Sequence, residues 1–301
     1  MNLDHLSTEE IKAIFDKDGV VGPFKAYDQE EAKSMLKNIR AKSMVQDRAM
    51  HKNNVGWDRH FDVQELSDHI SNEKVLDKVK IILGEDLLCW RTEFFPKFPK
   101  SSGTDWHQVG TFQYVTGAPI LQPTITGENE DIEITAWTAF TDTTIENGCM
   151  KFLPGTHKKQ YYNEALPVSE GRDSEYTPIE KDNFYGYDFE EFKIDPKWDP
   201  DQMESKSIEM KAGEFILFTS KCIHGSHPNV SERSTRFAFS SRFVPTQVKV
   251  YPEHDEFHGH GGFFQLKKSG YGCVLVSGED NFNHNEIRTE NNLGTFFKKG
   301  Q

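Results

Sequence analysis

The chain has 301 residues, a formal net charge of −13 and a hydrophobic content of 36%, which is enough for the packed core of one large domain or two small ones. Its negative field repels phosphates, which argues against nucleic acid or an anionic membrane as a partner. No apolar run is long enough to span a membrane and the first residues lack the order of a secretion signal, so we expect a cytoplasmic protein.

The first third of the chain, residues 1–85, is predicted to be mostly helical. Two capping boxes each precede apolar residues at helical spacing, and a third amphipathic segment ends at a glycine. These signals are Ser7-x-x-Glu10, Asp28-x-x-Glu31 and the segment from Glu73 to Leu83, followed by Gly84.

From residue 86 onward, short runs of β-branched and aromatic residues alternate with turn residues, which predicts many strands. A mainly β fold follows, an antiparallel barrel or jelly roll in a single domain covering 1–301. Within it we expect helical support from 1–85, a jelly-roll core over 86–250 and a C-terminal extension over 251–301. The polar stretch near 160–206 is interpreted as a long insert, a lid or substrate-facing segment. The strand signals are "DLLCWRTEFF", "IEITAWTAFTD", "SIEMK", "EFILFTS" and "TRFAFSSRFV".

The segment "TDWHQVGTF" resembles the first half of an iron site, because many such sites begin with a histidine followed two residues later by an acid. Here that second position is Val109, which carries no donor atom. On a strand, Asp105, His107 and Val109 share one face. A lone strand histidine is more often structural than a ligand, so His107 needs further support.

A second histidine gives that support. The predicted strand "EFILFTS" leads into "KCIHGSHPN", which presents His224 and then His227. In a jelly roll the metal ligands come from separate strands, and His224 is the better candidate. His227 precedes Pro228 and is expected to lie outside the strand.

The segment "TRFAFSSRFVP" alternates with period two, so it predicts a strand with two different faces. Phe237, Phe239 and Phe243 lie on the core face, and Arg236 and Arg242 on the other. A buried arginine is costly unless it meets a fixed anion, and a guanidinium suits a dicarboxylate cosubstrate. The two arginines are about 20 Å apart along the strand, so they should serve different parts of a site. Ordinary surface arginines on an edge strand are the alternative.

Several motifs recur together in one known branch of enzymes, and the similarity covers at least four fifths of the chain. The sequence resembles the phytanoyl-CoA dioxygenase superfamily and, within it, the syringomycin-type iron(II)/2-oxoglutarate halogenases, which act on aminoacyl groups tethered to a carrier protein. The resemblance implies a double-stranded β-helix, a cupin-like jelly roll, with an N-terminal helical layer. The motifs are "LCWRTEFFPKFP" (88–99), "GTDWHQ" (103–108), "AWTAFTD" (136–142), "NGCMKFLPGTH" (147–157), "MKAGEFILF" (210–218) and "SRFVPTQVKVYP" (241–252).

The resemblance also implies cofactors and residue roles. The cofactors are Fe(II), 2-oxoglutarate, O2 and chloride or another halide. His107 and His224 would bind the metal, and Thr104 and Arg236 would bind the distal carboxylate of 2-oxoglutarate. Trp137 and Arg242 would lie in the second sphere near the halide. Glu93 and Phe95 would lie near the substrate and the metal.

Hydroxylases of this superfamily bind iron through two histidines and one carboxylate. Halogenases have lost the carboxylate, and halide takes the vacant position. Val109 cannot bind iron, but its two methyl groups narrow the space for an ion. A one-residue bulge could place Gly110 beside the metal instead and restore that space.

Three functional interpretations remain. A halogenase is preferred. The alternatives are an oxygenase in which water or Asp105 completes the metal shell, and an inactive or merely binding relative. An aminoacyl-carrier protein is the expected partner, with a free amino acid possible. An acidic carrier would need a local basic patch on this negative protein; the candidates are Lys97, Lys100, Lys158 and Lys159.

The remaining cysteines and histidines are given structural interpretations. No C-x-x-C pair occurs, so the cysteines are read as buried thiols. His157 is expected to fix a loop, and the tract around His258 and His260 is read as a loop rather than a metal site. The cysteines are Cys89, Cys149, Cys222 and Cys273.

Overall fold

Two β-sheets of six and four strands build most of the fold, with helices on the outer side of the larger sheet. The computed structural model describes residues 2–43, 49–51, 56–109, 120–123, 133–162, 179–181, 184–186, 189–252, 254–259 and 262–300. Within these ranges, no helix combines the length and the apolar character needed to cross a membrane.

The three helices that the sequence predicts begin at the expected positions. The Ser7 hydroxyl accepts a hydrogen bond from Glu10 N, and the Glu10 carboxylate accepts one from Ser7 N, which completes a capping box. The predicted third helix has the same bounds in the structure, and Asn72 caps it. The helices are α1 (Thr8–Asp18), α2 (Gln29–Ser43), α3 (Gln64–His69), α4 (Glu73–Leu83) and α5 (Leu266–Ser269).

The strands confirm the predicted mainly β jelly roll. They are β1 (Val20–Lys25), β2 (Leu87–Lys97), β3 (Thr104–His107), β4 (Leu121–Pro123), β5 (Ile134–Ala139), β6 (Met150–Phe152), β7 (Ile179–Lys181), β8 (Phe184–Gly186), β9 (Lys206–Ile208), β10 (Glu214–Phe218), β11 (His224–Ser226), β12 (Arg236–Pro245), β13 (Val248–Val250), β14 (Glu256–Gly259), β15 (Gly262–Gln265) and β16 (Val274–Ser277). The main sheet has the order β1-β10-β5-β12-β2-β16 and the smaller sheet the order β3-β11-β6-β9.

The central strand β12 divides the molecule into two layers. Its outer face carries Phe239 and Phe243, which pack against α1, α2, α3 and α4 in the outer core. Its inner face turns towards the smaller sheet and bears Arg236, Ala238 and Arg242. The alternation predicted from "TRFAFSSRFVP" is therefore correct, and it directs both arginines to the interior between the sheets.

Two apolar clusters fill this interior. The inner cluster joins Trp137 and Ala238 of the main sheet to Met150 and Phe152 of the smaller one. The end cluster lies beyond Arg242 along the inner face and includes Leu88, Trp90, Ile120, Leu121, Val244 and Tyr251.

Two strands of the main sheet come from outside 86–250. β1 lies in the part of the chain predicted to be helical and pairs with β10. β16 belongs to the C-terminal extension and pairs with β2. Both strands depend on partners that are distant in the sequence, which a local pattern does not reveal.

Candidate functional site

His107 and His224 lie side by side on two antiparallel strands. They are register partners in the β3–β11 pair, and their ring centroids are 4.2 Å apart. Nδ1 of His107 is 2.9 Å from the Asp105 carbonyl oxygen, and Nδ1 of His224 is 2.7 Å from that of Cys222. Because a carbonyl only accepts, each Nδ1 donates, and each neutral ring then carries its lone pair on Nε2. This second-sphere arrangement is typical of histidines that bind a metal.

The environment of His224 favours its neutral form. Burial lowers the pKa of His224 well below its usual range, and the neighbouring His107 lowers it further. Phe189 stacks on His107 with ring centroids 4.7 Å apart, and Phe218 lies 4.9 Å from the His224 ring. Phe189 belongs to the polar stretch predicted as an insert, so that stretch contacts the histidine pair. A divalent metal suits two neutral imidazoles held in this way.

The chain turns away from strand geometry directly after His107. β3 ends at His107, so the prediction that Val109 continues the face of Asp105 and His107 on one strand is wrong. The cause is the buried side chain of Gln108, whose amide donates to the carbonyls of Lys159 and Lys221 and accepts from Tyr161 N. These partners lie far along the chain.

Val109 itself lies near the end cluster. Its backbone N donates to the Ser220 carbonyl oxygen at 2.9 Å, and its half-buried side chain packs against the end cluster. Among the residues described, no third His, Cys, Asp or Glu joins the histidine pair as a possible metal ligand. Asp105 is exposed and does not complete the set. Gly110, the position proposed for a bulge, lies outside the described residues.

Arg236 is buried on the inner face with a residual exposure of 3%. It donates to the carbonyl oxygens of Gly148 and Phe95, and its guanidinium lies 5.0 Å from the Trp137 ring. Its Nε is buried without a hydrogen-bond partner. Burial lowers its pKa to about 10. A buried guanidinium with a spare donor suits an anionic ligand.

Thr104 stands at the start of β3, and its Oγ1 accepts a hydrogen bond of 3.0 Å from Ser226 Oγ. Ser226 is its register partner on β11. Along the chain, Thr104 comes before His107 and Val109 comes after it. Since Val109 reaches the end cluster beyond Arg242, we infer that Thr104 lies towards the Arg236 end of the interior.

Arg242 forms an ion pair with Glu93, with Nη2 and Oε2 3.1 Å apart. Burial raises the pKa of Glu93, and Arg242 opposes that shift. Glu93, Ser240 and Trp137 form one row across β2, β12 and β5. Phe95 is half-buried against the inner cluster. These main-sheet residues that the resemblance implies thus share one inner face.

A buried acid linked to Val109 through Ser220 was not foreseen. Glu133 is 1% exposed and accepts hydrogen bonds from Ser220 Oγ and Thr135 Oγ1, each 2.8 Å long. Burial raises its pKa, and Arg242 opposes the shift. The alternation of "EITAW" places Glu133 on the face of Trp137, which is the signal that could have found it.

Lys97 requires a correction. It was a candidate for a basic surface patch, but it is 5% exposed and is the register partner of Arg236. The other three lysines of that patch are exposed, and Lys100 pairs with Glu232.

The remaining predictions concern single side chains. The four cysteines are free and buried, as expected. His227 follows β11 and shares a hydrogen bond of 2.8 Å with Ser207 Oγ. His157 packs against Gly19, where an added Cβ would lie 2.6 Å from Nδ1, in keeping with a loop-fixing role. His258 lies on β14, and His260 is outside the described residues.

A jelly roll with two histidines on neighbouring strands and a buried arginine on the facing sheet defines a class, the Fe(II)/2-oxoglutarate dioxygenase superfamily. A family model described as phytanoyl-CoA dioxygenase matches residues 15–238. The chain therefore belongs to the phytanoyl-CoA dioxygenase family.

Two solved structures are similar over nearly the whole chain. The structure of CytC3 with Fe(II) and alpha-ketoglutarate is 33% identical, has a TM-score of 0.73 and covers 98% of each chain. A second CytC3 structure is 34% identical with a TM-score of 0.75, covering 98% of this chain and 97% of CytC3.

Curated relatives match over shorter regions. The phytanoyl-CoA dioxygenase domain-containing protein 1 homolog of Dictyostelium discoideum is 29% identical over 155 residues, or 51% of this chain and 44% of the relative. Dioxygenase lolE1 of Epichloe uncinata is 26% identical over 197 residues, or 65% of this chain and 60% of the relative. The chain thus spans about half the length of these relatives.

Proposed function

We propose that the protein is a non-heme iron(II)/2-oxoglutarate-dependent halogenase that chlorinates an unactivated C–H bond. The observation that carries this proposal is Val109, two residues after His107, in a site where no described acid joins the two histidines. Fe(II) with 2-oxoglutarate and O2 supplies the oxidising power needed to break such a bond. His107 and His224 would hold the metal, and Arg236 with Thr104 would bind the distal carboxylate of 2-oxoglutarate.

Charge balance supports an exogenous anion at this metal. Two neutral histidines add no charge to Fe(II), and chelation by one carboxylate leaves the centre with a net positive charge. In a hydroxylase the third protein ligand is a carboxylate, which removes this charge. A halide would do the same here. The Arg242 guanidinium lies at the Val109 end of the inner face, where it is paired with Glu93.

Neighbouring groups hold the candidate metal ligands and the cosubstrate anchor in position. The Nδ1 hydrogen bonds of both histidines fix their orientation before the metal binds. Phe189 packs on the ring of His107 and Phe218 on that of His224, so both rings are held by aromatic contacts. Trp137 supports the Arg236 guanidinium, so the cosubstrate anchor is rigid.

A second candidate function is a 2-oxoglutarate-dependent hydroxylase or oxidase with an incomplete ligand set. Val109 favours it, because its two methyl groups leave less room for an ion than the small residue usual at this position in halogenases. Ser220 also connects Glu133 to Val109, since its hydroxyl donates to the Glu133 carboxylate and its carbonyl oxygen accepts from Val109 N. The curated relatives named dioxygenases agree with either function.

We further propose that the substrate is an aminoacyl group tethered to a carrier protein. This rests on the likeness to the carrier-dependent halogenases and on the exposed Lys158 and Lys159 near the site. Gln108, which adjoins His107, donates to the Lys159 carbonyl. An inactive binding relative is the remaining alternative, and it would consume no 2-oxoglutarate.

The test is turnover with and without halide. The anaerobic Fe(II) protein is mixed with 2-oxoglutarate, O2 and a panel of aminoacyl-carrier proteins and free amino acids, in chloride or in halide-free acetate buffer. We expect a product with the chlorine isotope pattern only in chloride. Hydroxylated product alone at saturating chloride would overturn the proposal. As a substrate-independent check, crystals grown with bromide should give an anomalous peak beside the metal.

A further inference from the structure

We propose that Lys97 is a second cation for the distal carboxylate of 2-oxoglutarate, acting beside Arg236 at the Thr104 end of the site. This inference deepens the proposed function, since it rests on 2-oxoglutarate being the cosubstrate. It assigns a buried lysine that neither iron binding nor the halide argument uses.

The geometry places Lys97 against Arg236. The two residues are register partners in the β2–β12 pair, so their side chains leave the same face of the sheet. Both side chains also meet at Gly148. Arg236 Nη1 donates to the Gly148 carbonyl oxygen at 2.8 Å, and a Cβ added to Gly148 would lie 2.3 Å from Lys97 Cδ. Gly148 has a φ of +93°, so it provides the space through which the lysine passes.

The lysine then reaches towards β3. Its Nζ donates to the Ser102 carbonyl oxygen at 2.7 Å, two residues before Thr104. The side chain therefore runs from the neighbour of Arg236 to the segment that leads into Thr104. These are the two residues assigned to the distal carboxylate.

The charges at this end of the site favour an anion. Burial, with smaller contributions from the neighbouring cations Arg236 and Lys151, lowers the pKa of Lys97 to about 7. Two cations side by side in the interior are costly unless a fixed anion neutralises them. The distal carboxylate of a dicarboxylic acid has the charge and the two acceptor oxygens to contact both.

The competing explanation is structural. Lys97 could act only as a tie that holds the segment from 98 to 103 through Ser102. Two neutral replacements separate the possibilities. Lys97→Met removes both charge and donor, whereas Lys97→Gln removes the charge and keeps an amide donor. Lys100→Met is a matched control, since Lys100 is an exposed lysine three residues away.

The experiment measures binding of two ligands by anaerobic calorimetry on the Fe(II) protein. 2-Oxoglutarate carries the distal carboxylate, and 2-oxopentanoate lacks it but keeps the chelating end. We expect both Lys97 variants to lose roughly 10- to 100-fold in affinity for 2-oxoglutarate, the effect of a charge-assisted hydrogen bond. Their affinity for 2-oxopentanoate should stay within about twofold, and Lys100→Met should match the wild type for both ligands.

Other results of these binding measurements would overturn either the role of Lys97 or the proposed function. If Lys97→Gln binds 2-oxoglutarate as tightly as the wild type, or loses both ligands equally, the inference is wrong. If the wild type binds neither ligand, the proposed function fails first. Thermal unfolding of the ligand-free protein gives an independent readout. Removal of a buried charge should leave the melting temperature of Lys97→Gln unchanged or raise it, and a marked fall would assign Lys97 a structural role only.

Discussion

In the proposed halogenase, Val109 stands where a hydroxylase of this superfamily would carry its metal-binding carboxylate. Val109→Ala removes two methyl groups, so we predict a severalfold lower chloride concentration for half-maximal chlorination. Val109→Asp supplies a protein carboxylate, so we predict loss of chlorination with hydroxylation in its place, or no activity. Product mass spectra over a chloride titration measure both effects.

Val248→Ala is the control for these substitutions, because Val248 is also an apolar member of the end cluster. It should lower stability without changing chloride dependence. Unchanged chloride dependence in Val109→Ala would show that methyl bulk does not limit halide entry.

His224 and His227 lie three residues apart and allow a matched comparison of metal binding. His224 is the register partner of His107, whereas His227 contacts Ser207 outside the strand. We predict that His224→Ala abolishes stoichiometric Fe(II) binding and that His227→Ala retains it. Metal analysis after anaerobic reconstitution and desalting distinguishes them. Equal iron content in the two variants would contradict the assignment of the ligands.

Lys97 predicts a pH dependence for cosubstrate binding. In the ligand-free protein burial lowers its pKa to about 7, with Arg236 and Lys151 acting in the same direction. His227 also faces this cation. A bound carboxylate favours the charged form and raises the pKa of Lys97, so binding takes up a proton above about pH 7. Affinity for 2-oxoglutarate should therefore weaken as pH rises above about 7, by up to tenfold per unit.

Calorimetry in buffers of different ionisation enthalpy measures this proton uptake directly. Lys97→Gln removes the titrating group, so the uptake should vanish in that variant. Proton uptake that persists in Lys97→Gln would assign the titration to another group.

At the scale of single elements, β12 carries core residues on its outer face and candidate site residues on its inner face. Phe239 is fully buried in the outer core and packs against Phe94 and His69. Phe239→Ala should reduce the free energy of unfolding by about 3–5 kcal/mol, measured by urea denaturation, because it leaves a cavity. The folded fraction should still bind Fe(II). Phe98→Ala, at a ring that is 61% exposed, should change the free energy little.

The alternation of β12 was predictable because it is local. Strand period alone separates its phenylalanines from its arginines, and the structure confirms that separation. The caps of α1 and α4 were predictable for the same reason. β1 was missed because "VVGPFK" contains glycine and proline, which weaken a strand pattern, and because its partner β10 lies nearly 200 residues away.

The sequence motifs were enough to predict the histidines and arginines of the site. They did not predict the buried ionic residues around them. Lys97 resembled a surface lysine, since only the pairing of β2 with β12 buries it beside Arg236. Glu133 was overlooked although strand alternation places it on the face of Trp137, because its burial depends on Ser220, a partner far along the chain. The end of β3 at His107 was mispredicted because it depends on hydrogen bonds from Gln108 to residues 159 and 221.

At the scale of the whole molecule, the histidine pair and the two inner arginines are held between the two sheets, which carry them on separate, rigid strands. The smaller sheet supplies the histidines, and the main sheet supplies the cations. Relative placement of these groups is therefore set by the packing of the inner cluster and not by any single loop. Phe189 adds a ring contact from the insert to His107.

The whole-molecule charge of −13 opposes an acidic partner, so docking of a carrier protein would depend on local basic residues. Lys158 and Lys159 are exposed and follow directly on the loop that packs against Gln108. The double substitution Lys158→Glu with Lys159→Glu should lower kcat/KM for a carrier-tethered substrate by roughly three- to tenfold at low salt, since charges at a rim act mainly on association.

The same double substitution should leave kcat/KM for a small thioester of the same aminoacyl group unchanged, because that substrate has no carrier surface. High salt should shrink the difference, since it screens exposed charges. Lys33→Glu with Lys37→Glu makes an equal change of net charge on α2, whose buried face joins the outer core, away from the histidine pair. An equal loss in this control would attribute the effect to overall charge. If the Lys158 and Lys159 variant also lost activity on the small thioester, the two lysines would act on the site and not on docking.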